Sequence, residues 1–310
     1  MTLPGTRRAH EAARSIATAV LGYDAGPMAA VESGSHLVHA GRDVVVKIID
    51  AGDHTRLDRE IALASRLPAG LTAPLLGSGL GRLGSREIRY ACYARMPGAA
   101  PGMGLPGVDG ATARALAEEA VRRLGRLHGW IPPAAAGRTL RDPLGHGGFT
   151  GRADLLAGVE RLTALGRPGA VPRRLLEGVR AMAEDAPAEA RAAVPVHADC
   201  HWGNWLADGR SVTALLDFEW ARLGEPADDW FFLIRFSGPH RETVLDVVAR
   251  ATGTAPDTLR AECEIREAAH LVSDLRVALE QPGAHEAMAS GRLGELEELV
   301  IGRRWWRRAG

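Results

Sequence analysis

Apolar residues in the first third of the chain fall into short alternating or continuous runs, which predict a small β-rich unit. Residues 7–21 precede these runs and have the spacing of an amphipathic helix. Thr55–Leu67 lies among them and also places its apolar residues at helical spacing. The runs that predict β-strands are Ala29–Val31, His36–His39, Asp43–Asp50, Pro74–Gly79 and Arg86–Met96.

Beyond residue 97 the pattern becomes mainly helical, after a Gly- and Pro-rich linker predicted at Pro97–Pro106. Val194–Val196 predicts a short strand, and Asp208-Gly209 predicts a hairpin turn between Trp205–Ala207 and Val212–Leu216. The predicted helices are Ala111–Trp130, Asp154–Leu165, Arg173–Glu184, Asp228–Phe236, Arg241–Arg250, Pro256–Leu279 and His285–Trp305. We therefore expect an α+β protein of two lobes, a small N-terminal β-rich lobe (residues 1–97) and a larger, mainly helical C-terminal lobe (98–310).

Composition excludes several classes of protein. The formal net charge of the 310 residues is zero, which argues against a nucleic-acid partner. No apolar run reaches the roughly 20 residues that span a bilayer, so no membrane segment is predicted. Cys92, Cys200 and Cys263 are scattered, so neither a disulfide framework nor a zinc cluster is implied, and a reducing cytoplasm is expected. We also expect no obligatory protein partner.

The two predicted lobes differ slightly in charge. Residues 1–97 carry 12 basic and 9 acidic side chains, a net of +3, which leaves 38−12 = 26 basic and 38−9 = 29 acidic side chains, a net of −3. A positive first lobe suits a polyanionic ligand, and a negative second lobe slightly favours a cationic one.

Two residue types that could have a chemical role, lysine and asparagine, each occur only once in the chain. Of the 38 basic residues, 37 are arginine and only Lys47 is lysine, while Asn204 is the only asparagine. A composition that replaces lysine by arginine elsewhere makes a retained lysine a candidate for a role that arginine cannot fill.

Residues 196–220 carry the most specific pattern. His197 and Asp199 are followed after five residues by Asn204, and Asp217 ends the second strand of the predicted hairpin 13 residues later. The hairpin brings Asn204 and Asp217 together, and their oxygen atoms are ligands that Mg²⁺ prefers. An acidic side chain such as Asp199 can accept the hydrogen bond of a reacting hydroxyl group.

This segment resembles the H-G-D-x-H-x-x-N and D-W-E motifs of the aminoglycoside phosphotransferase and choline kinase-like family, which has a protein-kinase-like fold. The resemblance implies that Asp199 is the catalytic base, that Asn204 and Asp217 bind Mg²⁺, and that Asp229 holds the catalytic loop. It also implies a structural role for His197. The chain departs from the motifs at Ala198 (usually glycine), Phe218 (often tryptophan) and Glu225 (usually aspartate).

The first lobe agrees with this resemblance. Lys47 ends an apolar strand, and Glu60 falls on the apolar face of the following helix, where a carboxylate needs a partner. We expect the Lys47–Glu60 pair to place the phosphates of ATP. By resemblance, backbone groups of Ala94 and Met96 would bind adenine, and Ser33-Gly34-Ser35 would be the phosphate loop.

The sequence therefore predicts a small-molecule kinase that uses ATP and Mg²⁺ to phosphorylate a hydroxyl group. An antibiotic acceptor (aminoglycoside, macrolide, peptide or nucleoside) is expected, with a choline- or homoserine-like alcohol as the alternative. A nucleotide-binding pseudokinase is a further alternative, as is a metal-dependent hydrolase built on His197, Asp199 and His201. For Glu219 two interpretations stay open, a metal or acceptor contact and a solvated loop carboxylate.

Overall fold

The computed structural model describes residues 6–33, 36–52, 55–144, 148–165, 171–191, 193–280 and 286–306. An N-terminal antiparallel sheet is followed by a mainly helical part, which confirms the predicted α+β class. The boundary at residue 97 stays a prediction. No described helix is both long and apolar enough to cross a membrane.

The N-terminal sheet has five strands in the order β1-β2-β3-β5-β4. They are β1 (Ala29–Val31), β2 (Leu37–Ala40), β3 (Val44–Asp50), β4 (Leu75–Leu83) and β5 (Arg86–Ala94). The two faces of β3 pack against different helices because side chains alternate along a strand. Val46 and Ile48 face α1 (Thr6–Leu21), whereas Ile49 faces α2 (Thr55–Ala64). Lys47 has the same parity as Ile49 and so lies on the α2 side.

The chain leaves the sheet through a close contact with the second lobe. Ala99 and Ala207 exchange backbone hydrogen bonds of 2.9 Å. Gly98 has φ 95°, and a Cβ atom there would lie 2.2 Å from the Ala207 oxygen, so only glycine fits.

Helices enclose the core of the second lobe, which also contains two short two-stranded sheets. The helices are α3 (Gly110–His128), α4 (Ala134–Arg141), α5 (Arg152–Ala164), α6 (Arg173–Glu184), α7 (Pro226–Arg235), α8 (Arg241–Thr252), α9 (Pro256–Glu280) and α10 (Glu286–Val300). The strands are β6 (Val194–Val196), β7 (Trp205–Asp208), β8 (Ser211–Leu215) and β9 (Arg222–Gly224). β7 and β8 form the predicted hairpin, and β6 pairs with β9.

Four features differ from the sequence-based prediction. Helix α4 and strand β9 were not predicted, because Pro132-Pro133 and Gly137 favour a loop and β9 is only three residues long. Strand β4 continues to Leu83, since its alternating glycines hid the strand pattern.

The fourth difference is the end of α10, which stops at Val300 rather than at Trp305. Arg303 has φ 47°, and the chain reverses after the helix. The reversal buries Trp305, whose Nε1 donates to Glu267 Oε2 at 2.7 Å.

Candidate active site

The predicted Lys47–Glu60 pair forms in the structure. Lys47 Nζ lies 2.8 Å from Glu60 Oε2 and 3.1 Å from Oε1, and both side chains are largely buried. Burial by itself would lower the pKa of Lys47, but Glu60 and Asp217 outweigh it and raise the pKa, so the ammonium group stays charged. Because Glu60 and Asp217 both contact the Lys47 ammonium group, the position of this group in the site is fixed.

Lys47 also contacts the second lobe. Its Nζ lies 3.3 Å from Asp217 Oδ1. Asp217 follows β8 in a left-handed conformation (φ 67°, ψ 61°), which is costly for a residue with a Cβ atom. Burial raises the pKa of this carboxyl, but the Lys47 ammonium and the neighbouring His36 and His197 together lower it below its ordinary value. Asp217 therefore remains ionised at the junction of the lobes.

A buried carboxylate fixes the start of the loop of residues 197–204, named the catalytic loop here for the role that the resemblance implies. Asp229 on α7 accepts from the backbone N–H of Ala198 (2.7 Å) and of His197 (3.1 Å), and lies 2.9 Å from His128 Nε2. Burial raises the pKa of Asp229, yet the bond from His128 and the neighbouring donors lower it overall. This geometry agrees with the role that the resemblance implies for Asp229, which is to hold the catalytic loop.

His197 lies beneath the loop rather than in an open site. It is fully buried, and its Nδ1 accepts from the Asp199 N–H at 3.2 Å. Its Nε2 therefore carries the proton and donates to the Leu216 carbonyl at 2.8 Å. Burial lowers the pKa of His197, which keeps the ring neutral. The ring links the loop to the segment that leads into Asp217.

Asp199 and Asn204 face one another across the loop. Asn204 Nδ2 donates to the Asp199 carbonyl at 2.8 Å and to Asp199 Oδ2 at 3.2 Å. Burial and the nearby Asp217 raise the pKa of Asp199 to about 8. Because the amide nitrogen points at Asp199, the Asn204 Oδ1 atom is directed elsewhere and can act as a ligand.

The metal-dependent hydrolase alternative finds no support among the described residues. His197 uses both ring nitrogens inside the protein, and His201 Nε2 is 3.7 Å from Asp199 Oδ1. The one group of potential metal-ligating His, Cys, Asp and Glu side chains in the described chain is Glu60, Asp217 and Glu219.

The predicted adenine contacts are only partly available. The Ala94 N–H donates to the Pro74 carbonyl at 2.8 Å, so this N–H is not available to a base. Met96 follows just after β5 and is half-buried. Ser33 is exposed, whereas Gly34 and Ser35 lie outside the described residues, so the phosphate-loop prediction stays a prediction.

Sequence reasoning did not foresee the setting of Glu219. This side chain is only 2% exposed, which excludes the solvated interpretation. Its Oε1 lies 2.6 Å from His36 Nε2, and its Oε2 is 4.0 Å from Arg56 Nε. Arg56 in turn lies over the Trp220 ring at 4.9 Å. No local motif indicates these contacts, since they join the residue just before β2 and helix α2 to the turn after Asp217.

Arg59, beside Glu60, was also missed. It is 7% exposed, and its guanidinium donates to the carbonyls of Thr139 (2.6 Å), Ala221 (3.0 Å) and Asp142 (2.8 Å). The arginine thereby ties α2 to the second lobe. In the sequence, only the position of Arg59 next to Glu60 indicates that it could have a special role.

Comparisons with known proteins agree with this arrangement. A family model described as the phosphotransferase enzyme family matches residues 33–262. No curated protein sequence matches the chain.

Among solved structures, the GDP complex of wild-type aminoglycoside 2'-phosphotransferase-IIIa has a TM-score of 0.72 at 17% identity, over 93% of this chain and 97% of that chain. Macrolide 2'-phosphotransferase type I has a TM-score of 0.63 at 20% identity, over 96% and 99%. A thermostable mutant of aminoglycoside phosphotransferase APH(4)-Ia, with ADP and hygromycin B, has a TM-score of 0.59 at 18% identity, over 92% and 98%.

The solved structures confirm the predicted two-lobed, protein-kinase-like fold. The family match covers well over half of the chain and includes Lys47, Glu60, Asp199, Asn204 and Asp217. This chain belongs to the phosphotransferase enzyme family.

Proposed function

We propose that this protein transfers the γ-phosphate of Mg-ATP to a hydroxyl group of a small molecule. The observation that carries the proposal is the contact of Lys47 with both Glu60 and Asp217, because it joins the sheet, helix α2 and the hairpin loop in one charged cluster. Asp199 lies close enough for the Asp217 charge to raise its pKa.

The nucleotide would bind along the first lobe. Lys47, held by Glu60, would pair with the phosphates, and Ser33-Gly34-Ser35 would cover them. The Ala94 carbonyl and the Met96 backbone would meet the adenine. The Ala94 N–H, already bonded to Pro74, would take no part.

The residues fit one Mg²⁺ site. Asn204 offers Oδ1 because its nitrogen is bonded to Asp199, and Asp217 offers an ionised carboxylate. Both are the hard oxygen ligands that Mg²⁺ takes. When bound, Mg²⁺ would neutralise negative charge on the phosphates.

Asp199 would orient the acceptor hydroxyl and take its proton. The hydroxyl oxygen forms a bond to the γ-phosphorus, and the bond from that phosphorus to the β-phosphate oxygen breaks, so ADP leaves with the electron pair. With a pKa of about 8, Asp199 is ionised in a growing fraction of molecules as pH rises, and this ionised form would accept the proton that the hydroxyl releases late in the reaction. Phosphoryl transfer depends mainly on position and charge, which this small set of groups can supply.

We propose an antibiotic as the acceptor and resistance as the outcome. The support is structural similarity to proteins whose names give aminoglycosides and a macrolide as substrates. A choline- or homoserine-like alcohol is the alternative from primary metabolism.

The test is nucleotide consumption with a panel of aminoglycosides, macrolides, peptide and nucleoside antibiotics, choline and homoserine, with Mg-ATP and Mg-GTP in parallel. We expect one acceptor class to stimulate turnover. Asp199→Asn should lower kcat by roughly 10²- to 10⁴-fold, with Mg-ATP affinity nearly unchanged. Wild-type protein that binds no Mg-nucleotide, or an Asp199→Asn variant with full acceptor-dependent turnover, would overturn the proposal.

A further inference from the structure

A cavity of about 200 Å³ opens beside Asp199. It lies between the catalytic loop and helices α7, α9 and α10. The residues that argue for its chemistry are Trp220, Phe232, Phe236, His270, Asp274, Arg292 and Glu295. Under the proposed function, on which this inference rests, a ligand in this cavity would present its hydroxyl to Asp199.

One wall of the cavity is aromatic. The rings of Phe232 and Phe236 are nearly parallel (19°), with centroids 6.1 Å apart. His270 stacks on Phe231 at 5.4 Å and meets Phe232 edge-on at 5.1 Å. Aromatic walls of this kind gain most from a ligand with a flat apolar face, because the removal of both apolar surfaces from water is favourable.

The deepest of the acidic groups at the cavity is already neutralised. Glu267 receives hydrogen bonds from Arg235 Nε at 2.5 Å, from Arg304, and from Trp305 Nε1 at 2.7 Å. Its carboxylate therefore serves the packing of the C-terminal turn.

Besides Asp199 and Glu267, two further carboxylates line the cavity, and Arg292 on α10 joins them. Its Nε lies 2.8 Å from Asp274 Oδ2 on α9, and its Nη1 lies 2.7 Å from Glu295 Oε2 on α10. Two carboxylates and one guanidinium leave a single net negative charge in this trio. Arg292 thus occupies the position between the carboxylates that a second cationic group of a ligand would need.

We propose that the acceptor of this protein is an alcohol with a flat apolar body and a single cationic group, and that Arg292 sets this limit. A ligand with one ammonium group balances the charge of the trio. A polycation such as a typical aminoglycoside brings more positive charge than the trio can balance and must also give up its hydration against the aromatic wall. Arg292 is therefore a specificity-determining residue in this cavity.

The experiment uses three ligands with one ring and one hydroxymethyl group. They are benzyl alcohol, 3-(hydroxymethyl)benzylamine and 3,5-bis(aminomethyl)benzyl alcohol, which carry zero, one and two ammonium groups. Calorimetry on the full chain would give each Kd for wild type, Arg292→Gln and Arg292→Lys. For wild type we expect the monoamine to bind best. For Arg292→Gln we expect the diamine-to-monoamine ratio of affinities to rise at least fivefold, because two carboxylates lose their common partner.

Arg174→Gln is the matched control. Arg174 also ties a neighbouring helix to α10, through Glu297 at 2.6 Å, but it does not line the cavity. This variant and the charge-conserving Arg292→Lys should keep the wild-type order.

A diamine that already binds best to wild type, an unchanged ratio in a folded Arg292→Gln, or no binding of any of the three ligands would overturn the inference. Mg-ATP binding is measured on the same proteins in the absence of these ligands. Failure there would overturn the proposed function itself, so the two failures are distinguishable.

Discussion

The groups around Asp199 form two regions that are built differently. The Lys47 side consists of Lys47, Glu60 and Asp217, joined by contacts of 2.8 to 3.3 Å. The cavity side is a wall of aromatic rings and helix-borne charges from α7, α9 and α10. On the Lys47 side a few groups fix one arrangement of charge, whereas the cavity side is assembled from side chains on several helices. Under the proposed function, the chemistry would therefore depend on the position of a few groups, and acceptor choice would depend on side chains from several helices.

The strongest test of the Lys47 side is Lys47→Arg, which keeps the charge and changes the shape. A guanidinium is planar and larger than an ammonium group, so it cannot take the place of Nζ between Glu60 and Asp217 in a largely buried site. We expect acceptor-dependent kcat/KM for Mg-ATP to fall by about 100-fold or more, as misplacement costs such factors. Steady-state kinetics would measure this.

Arg89→Lys is the matched control for Lys47→Arg. Arg89 also leaves the sheet to pair with an α2 carboxylate, Asp58, at 2.6 Å, but Asp58 is exposed. Exposed ion pairs contribute little, so turnover should stay within about twofold of wild type. Equal losses of kcat/KM in the two variants would mean that the Lys47 site is no more sensitive to substitution than an exposed ion pair.

This difference also explains what could be predicted from the sequence. Lys47, Glu60, Asp199, Asn204 and Asp217 stand in short segments whose spacing follows from one strand, one helix and one hairpin, so the contact of Lys47 with Glu60 was foreseen. Their chemical roles stay predictions. The cavity beside Asp199 could not be predicted in the same way.

The cavity side could not be predicted from the sequence because its residues come from segments far apart in the chain. Arg292 and Asp274 become neighbours only when α10 packs on α9, and each resembles an ordinary solvated helix residue in the sequence. Helix α4 was missed for a related reason, since its flanking prolines favour a loop and its place is fixed by tertiary contacts. Arg59 shows the same limit, because its partners are backbone carbonyls about 80 and 160 residues away.

A second prediction asks whether the Lys47 side depends on its anchor in the other lobe. Arg59→Gln removes donors from three carbonyls and loosens α2, which carries Glu60. We expect the free energy of unfolding to fall by about 1–3 kcal/mol and kcat/KM for Mg-ATP to fall by roughly 10-fold. Urea unfolding and steady-state kinetics would measure both.

Arg66→Gln is the control for Arg59, because Arg66 follows the same helix but bonds only to the nearby Ala62 carbonyl at an exposed site. If Arg59→Gln lost stability but kept full kcat/KM, catalysis would not depend on the hydrogen bonds between α2 and the second lobe.

A third prediction concerns the pH dependence of stability at Asp199. Its pKa is about 8 in the folded protein and about 3.9 in an unfolded chain. The folded state thus keeps a proton that the unfolded state releases, so the stabilising contribution is complete below about pH 4 and is lost as pH rises to about 8.

Asp199→Asn stays uncharged throughout this range. In nucleotide-free protein, its stability relative to wild type should therefore increase between pH 5 and pH 8.5 by at least about 1 kcal/mol. Urea unfolding at several pH values would measure the difference. Parallel stability profiles would indicate that Asp199 is ionised in the folded protein at neutral pH.

The smallest expected effect distinguishes two ways of holding the catalytic loop. Ala198 stands in a left-handed conformation (φ 62°), where a Cβ atom costs about 1–2 kcal/mol. The family motif usually has glycine there, but Asp229 accepts the Ala198 N–H at 2.7 Å and holds the alanine in this conformation. Ala198→Gly should relieve the strain but make the unfolded chain more flexible, for a net gain of about 0.5–1 kcal/mol.

Turnover of Ala198→Gly should stay within about twofold of wild type, because Asp229 and not residue 198 determines the path of the loop. Ala214→Gly, at a fully buried position in β8 without positive φ, should instead lose stability. If Ala198→Gly destabilised the protein as much as Ala214→Gly, the alanine side chain would be contributing packing that exceeds its strain. The loop would then depend on local packing, as the cavity side does, rather than on a few fixed polar contacts.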